Sequence, residues 1–428
     1  MKNNNKSQQG RIRERIKRLK KKFSSLENVK PLSAINARVR RIKNRLFLPS
    51  FLREMKRLQI GGLSGGNRLK LITDGDTCFT EFLRAMRSAK ESINLETYIF
   101  KSDDLGWRIA KLLAEKAGSG VEVNLIYDAI GCIGASPDLF NYMRDRGVEV
   151  IEYHPFFPWR RFWNISFRDH RKILVVDGRV AFLGGINIGR EYAGKKFGGE
   201  NWRDTHLRIE GPAVRDVQYF FIENWFRHGG AIGEGGRHFG SIAESGRMLV
   251  NILSHKSRKN RRPILDSYLS AIRYAKQHIY ITNAYFIPDK RIYRSLMQAV
   301  KRGVDVRVLL PGKTDIPAVK YASSYLYKKY LKNGIRVYEF TGSVLHAKTA
   351  VIDGIWSTVG SSNLDRRSFR KNLELNAVVL DQDFGLTMEK VFMNDLRLSR
   401  ELDLTKWERR PPAVYLLEWL CYRFRNLL

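Results

Sequence analysis

The feature that most constrains the fold of this chain is a polar motif that occurs twice. Residues 170–178 read HRKILVVDG and residues 346–354 read HAKTAVIDG, so a lysine follows each histidine by two positions and an aspartate by seven. Because side chains alternate between the two faces of a β-strand, each histidine lies on the same face as its lysine. A buried strand does not need a matched cationic pair, and the motif therefore predicts an anionic ligand.

The segments that precede the two motifs repeat as well. Three pairs of predicted strands share their order relative to the motif: INLETYIF (93–100) with IYITNAYFI (279–287), GVEVNLIYD (120–128) with GVDVRVLLP (303–311), and GVEVIEY (147–153) with GIRVYEF (334–340). Amphipathic helical patterns separate these strands in both halves. The sequence therefore predicts two copies of one α/β domain, at residues 69–240 and 250–400.

Downstream of each histidine, three further positions agree between the copies. Glycine stands at +14, a small residue at +15 and asparagine at +17. The residues are Gly184, Gly185 and Asn187 in the first copy and Gly360, Ser361 and Asn363 in the second. Such agreement in identical register within one chain is strong evidence that these positions serve a function.

With these motifs the sequence resembles the phospholipase D superfamily, whose signature H-x-K-x4-D followed by G-[S/G]-x-N it matches twice. The segments NWRDTHLRIEGPAV, NAYFIPD and TVGSSNLDRRS are similar to the bacterial cardiolipin synthase branch, in a form without N-terminal membrane spans. The resemblance covers residues 69 to 400 in order. It implies two tandem domains of mixed β-sheets flanked by helices, related by a pseudo-twofold, with the active site at their interface.

The two histidines suit exchange of a phosphodiester. That reaction needs a nucleophile and a proton donor for the leaving alkoxide, and imidazole titrates near neutrality. The resemblance implies that His170 attacks phosphorus to form a phosphohistidine. It also implies that His346 protonates the departing alcohol and then deprotonates the incoming one.

Charge that spreads over the phosphoryl oxygens must be balanced by donors. The candidates are Lys172, Lys348, Asn187, Ser361 and Asn363. This set can replace a metal, and the sequence has no carboxylate cluster of the kind that holds magnesium or calcium. The sequence therefore predicts neither a metal nor a cofactor.

Each histidine also needs a carboxylate on its far nitrogen to set its tautomer. Asp204, in NWRDTHLRI, is the predicted partner of His170, and Glu374, on the strand after the second motif, is the predicted partner of His346.

The aspartates of the two motifs, Asp177 and Asp353, complete the predicted catalytic set. Each of them stands before a glycine at a strand-to-turn boundary. In the family that the sequence resembles, these aspartates hold the turn more than they touch substrate, and a structural role is the favoured interpretation.

The net charge of +34 indicates an anionic partner. Residues 1–58 hold 19 lysines and arginines against three acidic residues. The apolar spacing in the arm 1–60 predicts two basic amphipathic helices broken near Pro31, which favours an anionic membrane surface over a solvated arm that binds any polyanion, RNA included. The tail 401–428 predicts either a core-docking helix or an interfacial anchor.

Three cysteines without metal or disulfide spacing favour a reducing compartment, and no secretory signal or spanning segment is evident. We therefore expect a peripheral membrane protein on the cytoplasmic face of the cell membrane, with phospholipid substrates. Phosphatidyl transfer from a phosphatidylglycerol-like donor to a hydroxyl acceptor, to yield cardiolipin, is the leading hypothesis. The alternative is a phosphodiesterase that hydrolyses lipid or nucleic acid. Nucleic acid is the disfavoured partner, and the oligomeric state stays open.

Overall fold

The structure, a computed structural model, describes residues 10, 12–18, 21, 62–155, 167–232, 242–255 and 262–425. In the first half the elements in chain order are β1 (Ser64–Ile72), α1 (Gly75–Ser88), β2 (Ser92–Thr97), α2 (Asp104–Gly118), β3 (Glu122–Asp128), α3 (Pro137–Arg144), β4 (Glu149–Tyr153), β5 (Ile173–Val176), β6 (Val180–Gly184), β7 (His206–Glu210) and α4 (Val214–Arg227). The first strand thus begins before the predicted domain start at residue 69.

The second half follows the same plan. Its elements are β8 (Met248–His255), α5 (Pro263–Tyr274), β9 (His278–Asn283), α6 (Lys290–Lys301), β10 (Asp305–Lys313), α7 (Pro317–Ser324), α8 (Tyr327–Lys332), β11 (Arg336–Val344), β12 (Lys348–Ile352), β13 (Trp356–Gly360), β14 (Glu374–Leu380), α9 (Gln382–Arg397), β15 (Ser399–Glu401), α10 (Leu404–Glu408) and α11 (Pro412–Arg423).

One continuous sheet joins the two halves through β1 and β8. These two strands pair antiparallel, with Ser64 opposite Val250 and Asn67 opposite Met248. Outward from this pair the strands run β7-β6-β5-β2-β3-β4 on one side and β14-β13-β12-β9-β10-β11 on the other, with β15 at the second edge. Corresponding strands therefore occupy corresponding places, which confirms the predicted duplicated α/β fold.

Each half-sheet is mixed, as predicted, because β2, β3 and β4 pair in parallel while β5, β6 and β7 pair antiparallel. The helical crossovers explain the parallel part, since parallel neighbours need a long connection. A cluster of buried apolar side chains, among them Phe220, Trp225, Val250 and Leu375, packs across both halves. The halves therefore share a core.

The motif aspartates lie at the far ends of β5 and β12 from the histidines. Asp177 and Asp353 both adopt a left-handed backbone with φ of 52°. The carboxylate of Asp177 accepts the backbone N–H groups of residues 90–92, and that of Asp353 accepts those of residues 276–278. These contacts favour the structural role, because the two carboxylates hold the loops that lead into β2 and β9, and a catalytic role for Asp177 and Asp353 stays a prediction.

Part of the predicted N-terminal arm is described. Residues 12–18 are helical, and the buried side chain of Ile16 packs in the cluster that joins the halves, with Ile12 against it. This stretch of the helix thus turns an apolar side toward the protein. The second predicted helix of the arm lies outside the described residues. No helix in the described ranges combines the length and the apolar character that crossing a bilayer requires.

Candidate active site

The two motif histidines meet at the junction of the halves. His170 stands just before β5 and His346 just before β12, so pseudo-symmetric strands position them. Both are buried, and both line one cavity of about 650 Å³. The duplicated motif therefore builds a single site.

Short backbone bridges fasten each histidine to the opposite half. The N–H of His170 donates to the carbonyl of Leu373 (3.0 Å), and the N–H of His346 donates to the carbonyl of Arg203 (2.8 Å). Leu373 immediately precedes Glu374, and Arg203 immediately precedes Asp204. Each of these backbone hydrogen bonds therefore places a carboxylate of one half beside the histidine of the other half.

The side chains of the histidines contact these same carboxylates. His170 Nδ1 lies 3.1 Å from Glu374 Oε2, and His346 Nδ1 lies 2.6 Å from Asp204 Oδ2. The predicted partners are therefore wrong in their pairing, because each carboxylate orients the histidine of the other half. An imidazole that donates from Nδ1 to a carboxylate presents Nε2 as the free nitrogen.

The two histidine–carboxylate pairs differ in their electrostatics. Burial lowers the pKa of His170 well below its usual value, and the charges of Lys172 and Lys348 add to this. Burial also lowers the pKa of His346, but the charge of Asp204 and the hydrogen bond to it act in the opposite direction. His170 is therefore held more firmly in the neutral form.

The pKa values of the two carboxylates, Asp204 and Glu374, also differ. Burial would raise the pKa of Asp204, but the charges of His346 and Lys348 outweigh it and the pKa is lowered. Burial raises the pKa of Glu374 to about 7, against the charge of Lys172. The pair of Asp204 with His346 thus has the more firmly ionised carboxylate.

The motif lysines lie behind the histidines. Lys172 Nζ donates to the carbonyl of His170 at 2.7 Å, and Lys348 Nζ donates to the carbonyl of His346. Burial lowers the pKa of Lys172 to about 7 and that of Lys348 to about 8. Neither lysine is among the described residues that line the cavity, and the described contact of each Nζ is with the backbone of its own histidine.

The predicted phosphate donors at +15 and +17 divide into two groups. Asn187 and Asn363 line the cavity. Ser361 does not, because its Oγ donates to Glu374 Oε2 at 2.5 Å. Its hydroxyl thus supports the carboxylate of Glu374, and its role in phosphate binding stays a prediction.

Gly185, the counterpart of Ser361, explains the asymmetry. A Cβ atom at this position would lie 2.1 Å from Asp204 Oδ1. Only glycine therefore allows Asp204 to approach as closely as it does. In the first half, Gly185 lacks a side chain and leaves space for Asp204. In the second half, Ser361 keeps a hydroxyl that contacts Glu374.

Aromatic side chains that sequence reasoning missed surround the histidines. Tyr98 meets His170 edge-on at 5.0 Å between ring centroids, and Tyr192 and Tyr285 do the same with His346 at 5.4 and 6.4 Å. Tyr98 and Tyr285 follow the ends of β2 and β9. Their equivalent places in the repeated segments were the signal that could have identified them.

Arginines of the cavity wall were also missed, four of them close to the motifs in sequence and the fifth, Arg425, after α11. The four flank the motif histidine or follow the second motif: Arg168, Arg366, Arg367 and Arg370. The charge of Arg367 also contributes to the lowered pKa of His170. The described residues contain no group of three or more histidines, cysteines and carboxylates arranged to hold a metal.

Comparison with known proteins gives a consistent result. The family described as "Cardiolipin synthase, PLD-like domain" matches at residues 82–214 and 268–396. Cardiolipin synthase A of Pseudomonas fluorescens is 35% identical over 351 residues, which covers 82% of this chain and 73% of the relative. Cardiolipin synthase of Geobacillus kaustophilus is 35% identical over 374 residues, which covers 83% of this chain and 71% of the relative.

Solved structures share the fold. The phosphatidylserine synthase of Haemophilus influenzae superposes with a TM-score of 0.67 at 13% identity, covering 88% of this chain and 98% of that one. The polyphosphate kinase of Porphyromonas gingivalis gives a TM-score of 0.54 at 16% identity, covering 84% of this chain and 53% of that one. From the family match, the relatives and the duplicated site, the chain belongs to the cardiolipin synthase family with phospholipase D-like domains.

Proposed function

We propose that this chain transfers a phosphatidyl group from a phosphatidylglycerol-like donor to the hydroxyl of an acceptor. A second phosphatidylglycerol as acceptor yields cardiolipin and releases glycerol. The observation that carries this proposal is that two histidines from opposite halves face one cavity, each with its Nδ1 against a buried carboxylate. One phosphate can then meet a nucleophile and a proton donor at the same time.

In the first step, Nε2 of His170 attacks the phosphorus. The bond between phosphorus and the glycerol oxygen of the donor breaks, and that oxygen takes the proton from His346. The lowered pKa of His170 supports its role as nucleophile, because only the neutral imidazole has a lone pair to give. Asp204 supports the proton on His346.

In the second step, His346 takes the proton of the acceptor hydroxyl. The acceptor oxygen attacks phosphorus, the bond between phosphorus and His170 breaks, and both histidines return to their starting states. The same group thus acts first as acid and then as base. Asn187, Asn363 and Arg367 line the cavity and are the proposed hydrogen-bond donors to the phosphoryl oxygens. Lys172 and Lys348, whose Nζ atoms contact the histidine carbonyls, are the proposed source of further positive charge.

The cavity favours a lipid over a nucleic acid. Apolar side chains, including Ile99, Ile130, Ile287 and Val319, share its wall with the cations. This mixture suits a phosphodiester with an acyl-glycerol attached, whereas binding of single-stranded nucleic acid relies on a basic groove with stacking platforms. We place the reaction at an anionic membrane surface on the cytoplasmic side, and the net charge and the three free thiols support this.

The decisive experiment is incubation with labelled phosphatidylglycerol in vesicles, followed by thin-layer separation of the products. Transfer gives cardiolipin, whereas hydrolysis gives phosphatidic acid. Phosphatidic acid alone would make water the acceptor and would replace the transferase with the phosphodiesterase alternative.

A chiral thiophosphate analogue of the donor tests the covalent intermediate. Each in-line displacement inverts phosphorus once, so two steps give net retention. Net inversion, read by phosphorus NMR, would rule out the phosphohistidine.

A further inference from the structure

The C-terminal helix α11 buries polar side chains against the protein and exposes apolar side chains. Its protein-facing side holds Glu418, which is buried and accepts hydrogen bonds from Arg410 at 2.5 and 3.0 Å. On the same side Tyr422 stacks on Tyr325, with the ring centroids 4.7 Å apart. The opposite side presents large apolar side chains that are 41–57% exposed, namely Leu416, Leu417, Trp419, Leu420 and Phe424.

The C-terminal end of α11 reaches the candidate active site. Tyr422 and Arg425, at the end of the helix, line the cavity. Two more exposed apolar side chains lie on cavity-lining segments: Ile316 lines the cavity itself, and Ile133 follows Ile130 and Gly131, which do. The exposed apolar side chains of α11 therefore stand on a helix that also contributes to the cavity wall, and further exposed apolar side chains stand on other segments of that wall.

We propose that α11 and the two isoleucines form a docking surface for a bilayer of anionic phospholipid. This rim surface consists of Ile133, Ile316, Leu416, Leu417, Trp419, Leu420 and Phe424. It would seat the mouth of the cavity on the bilayer, so that a donor lipid reaches His170 with its acyl chains still in the membrane. The inference rests on the proposed function, since it assumes substrates that reside in a membrane.

The chemistry of the rim surface fits this occupant. Contiguous exposed apolar side chains on a folded protein mark interaction sites, because their burial is favourable in proportion to the area removed from water. Tryptophan beside arginine, as Trp419 stands near Arg423, suits the headgroup region of a bilayer. Lys290, Arg366 and Arg370 line the same cavity and would meet anionic headgroups.

The chain offers a matched control for a test. Exposed apolar side chains also occur on or beside α9, namely Leu386, Met393 and Leu398, and they are not among the residues that line the cavity. The rim variant changes Leu416, Leu417 and Leu420 to serine, and the control variant changes Leu386, Met393 and Leu398 to serine. Both remove three exposed side chains without touching a catalytic group.

Flotation with vesicles of phosphatidylglycerol and phosphatidylcholine measures docking without any need for turnover. The rim variant should bind at least about tenfold more weakly than the wild type, and the control variant should bind normally. Cardiolipin formation from vesicles should fall in parallel, while turnover of a short-chain, water-soluble phosphatidylglycerol should stay unchanged. Equal vesicle binding by both variants would overturn the docking surface, even if the transferase is correct. A wild type that binds vesicles but makes no cardiolipin would instead overturn the proposed function.

A fluorescent reporter locates the contact. Leu420→Cys in a Cys421→Ser background, labelled with an environment-sensitive dye, should shift its emission to the blue when vesicles are added. The same label at Leu386→Cys should not shift. A label at position 420 that is already blue-shifted in buffer would mean that another protein segment or a second copy covers α11, and it would overturn the proposal.

Discussion

The Nδ1 atom of His170 lies 3.1 Å from the carboxylate of Glu374, although 204 positions separate the two residues in the chain. His346 and Asp204 form the reciprocal pair across 142 positions. Neither half therefore contains an oriented histidine of its own. The site exists only when both halves are folded against each other.

The exchanged pairing predicts which step each carboxylate supports. Asp204→Asn and Glu374→Gln should each lower kcat by about 10⁴-fold, as loss of the orienting carboxylate does in a serine protease triad. A donor with a p-nitrophenol leaving group separates the roles, because p-nitrophenol departs without a proton. In a His346→Ala background, Glu374→Gln should slow formation of labelled phosphoenzyme, and Asp204→Asn should not. If Asp204→Asn slowed phosphoenzyme formation and Glu374→Gln did not, each histidine would instead be served by the carboxylate of its own half.

The motif aspartates should matter for stability and not for chemistry. Asp177→Asn and Asp353→Asn each weaken three backbone hydrogen bonds to a carboxylate, at a cost of about 1–3 kcal/mol in the free energy of unfolding. Denaturant titration measures this loss, and the turnover of the folded fraction should stay close to that of the wild type. Lost turnover at unchanged stability would return these aspartates to the catalytic set.

Gly185 and Ser361 occupy equivalent positions in the two halves, but alanine should affect turnover differently at each. Gly185→Ala places a Cβ against Asp204, which must move away from His346, and turnover should fall by roughly 10²-fold or more. Ser361→Ala removes the hydrogen bond to Glu374 and the one that its Oγ accepts from the N–H of Leu375. A loss of about ten- to a hundredfold is expected from the bond to the carboxylate, which is worth about 1.5–3 kcal/mol. Steady-state kinetics of both variants measure which substitution lowers turnover more. A harmless Gly185→Ala would show that the close approach of Asp204 is not needed.

Burial of Lys172 predicts a pH dependence of stability. Its pKa falls from 10.5 to about 7 in the folded chain, so between these pH values the unfolded chain binds more protons. The free energy of unfolding should therefore rise as the pH increases from 7 to about 10, and Lys172→Met should flatten this rise. Denaturant titrations at pH 7, 8 and 9 measure the slope. Lys111, exposed on α2, provides the matched control, and parallel profiles for Lys172→Met and the wild type would contradict the prediction.

The fold could be predicted from the sequence because its signals are local. The strand periodicity, the amphipathic helices and the repeated segments around His170 and His346 lie within short stretches of chain. A repeat of such stretches implies a repeat of their structure, so the two halves follow, and the resemblance to the phospholipase D superfamily implies that they share one site. The two histidines and the two asparagines of the cavity wall were identified in this way.

Other features depend on how the two halves pack. The partner of His170 was assigned to its own half because spacing along the chain carries no information about contacts across 204 positions. The backbone hydrogen bond from His170 to Leu373 brings Glu374 to His170, and it joins the two halves, as the pairing of β1 with β8 does. The motif likewise marks Ser361 and Asp177 as polar without saying what they face. The sequence by itself determined the duplicated α/β domain and its pair of histidines, and the packing of one half on the other decided which carboxylate serves each histidine, because that contact is made between halves.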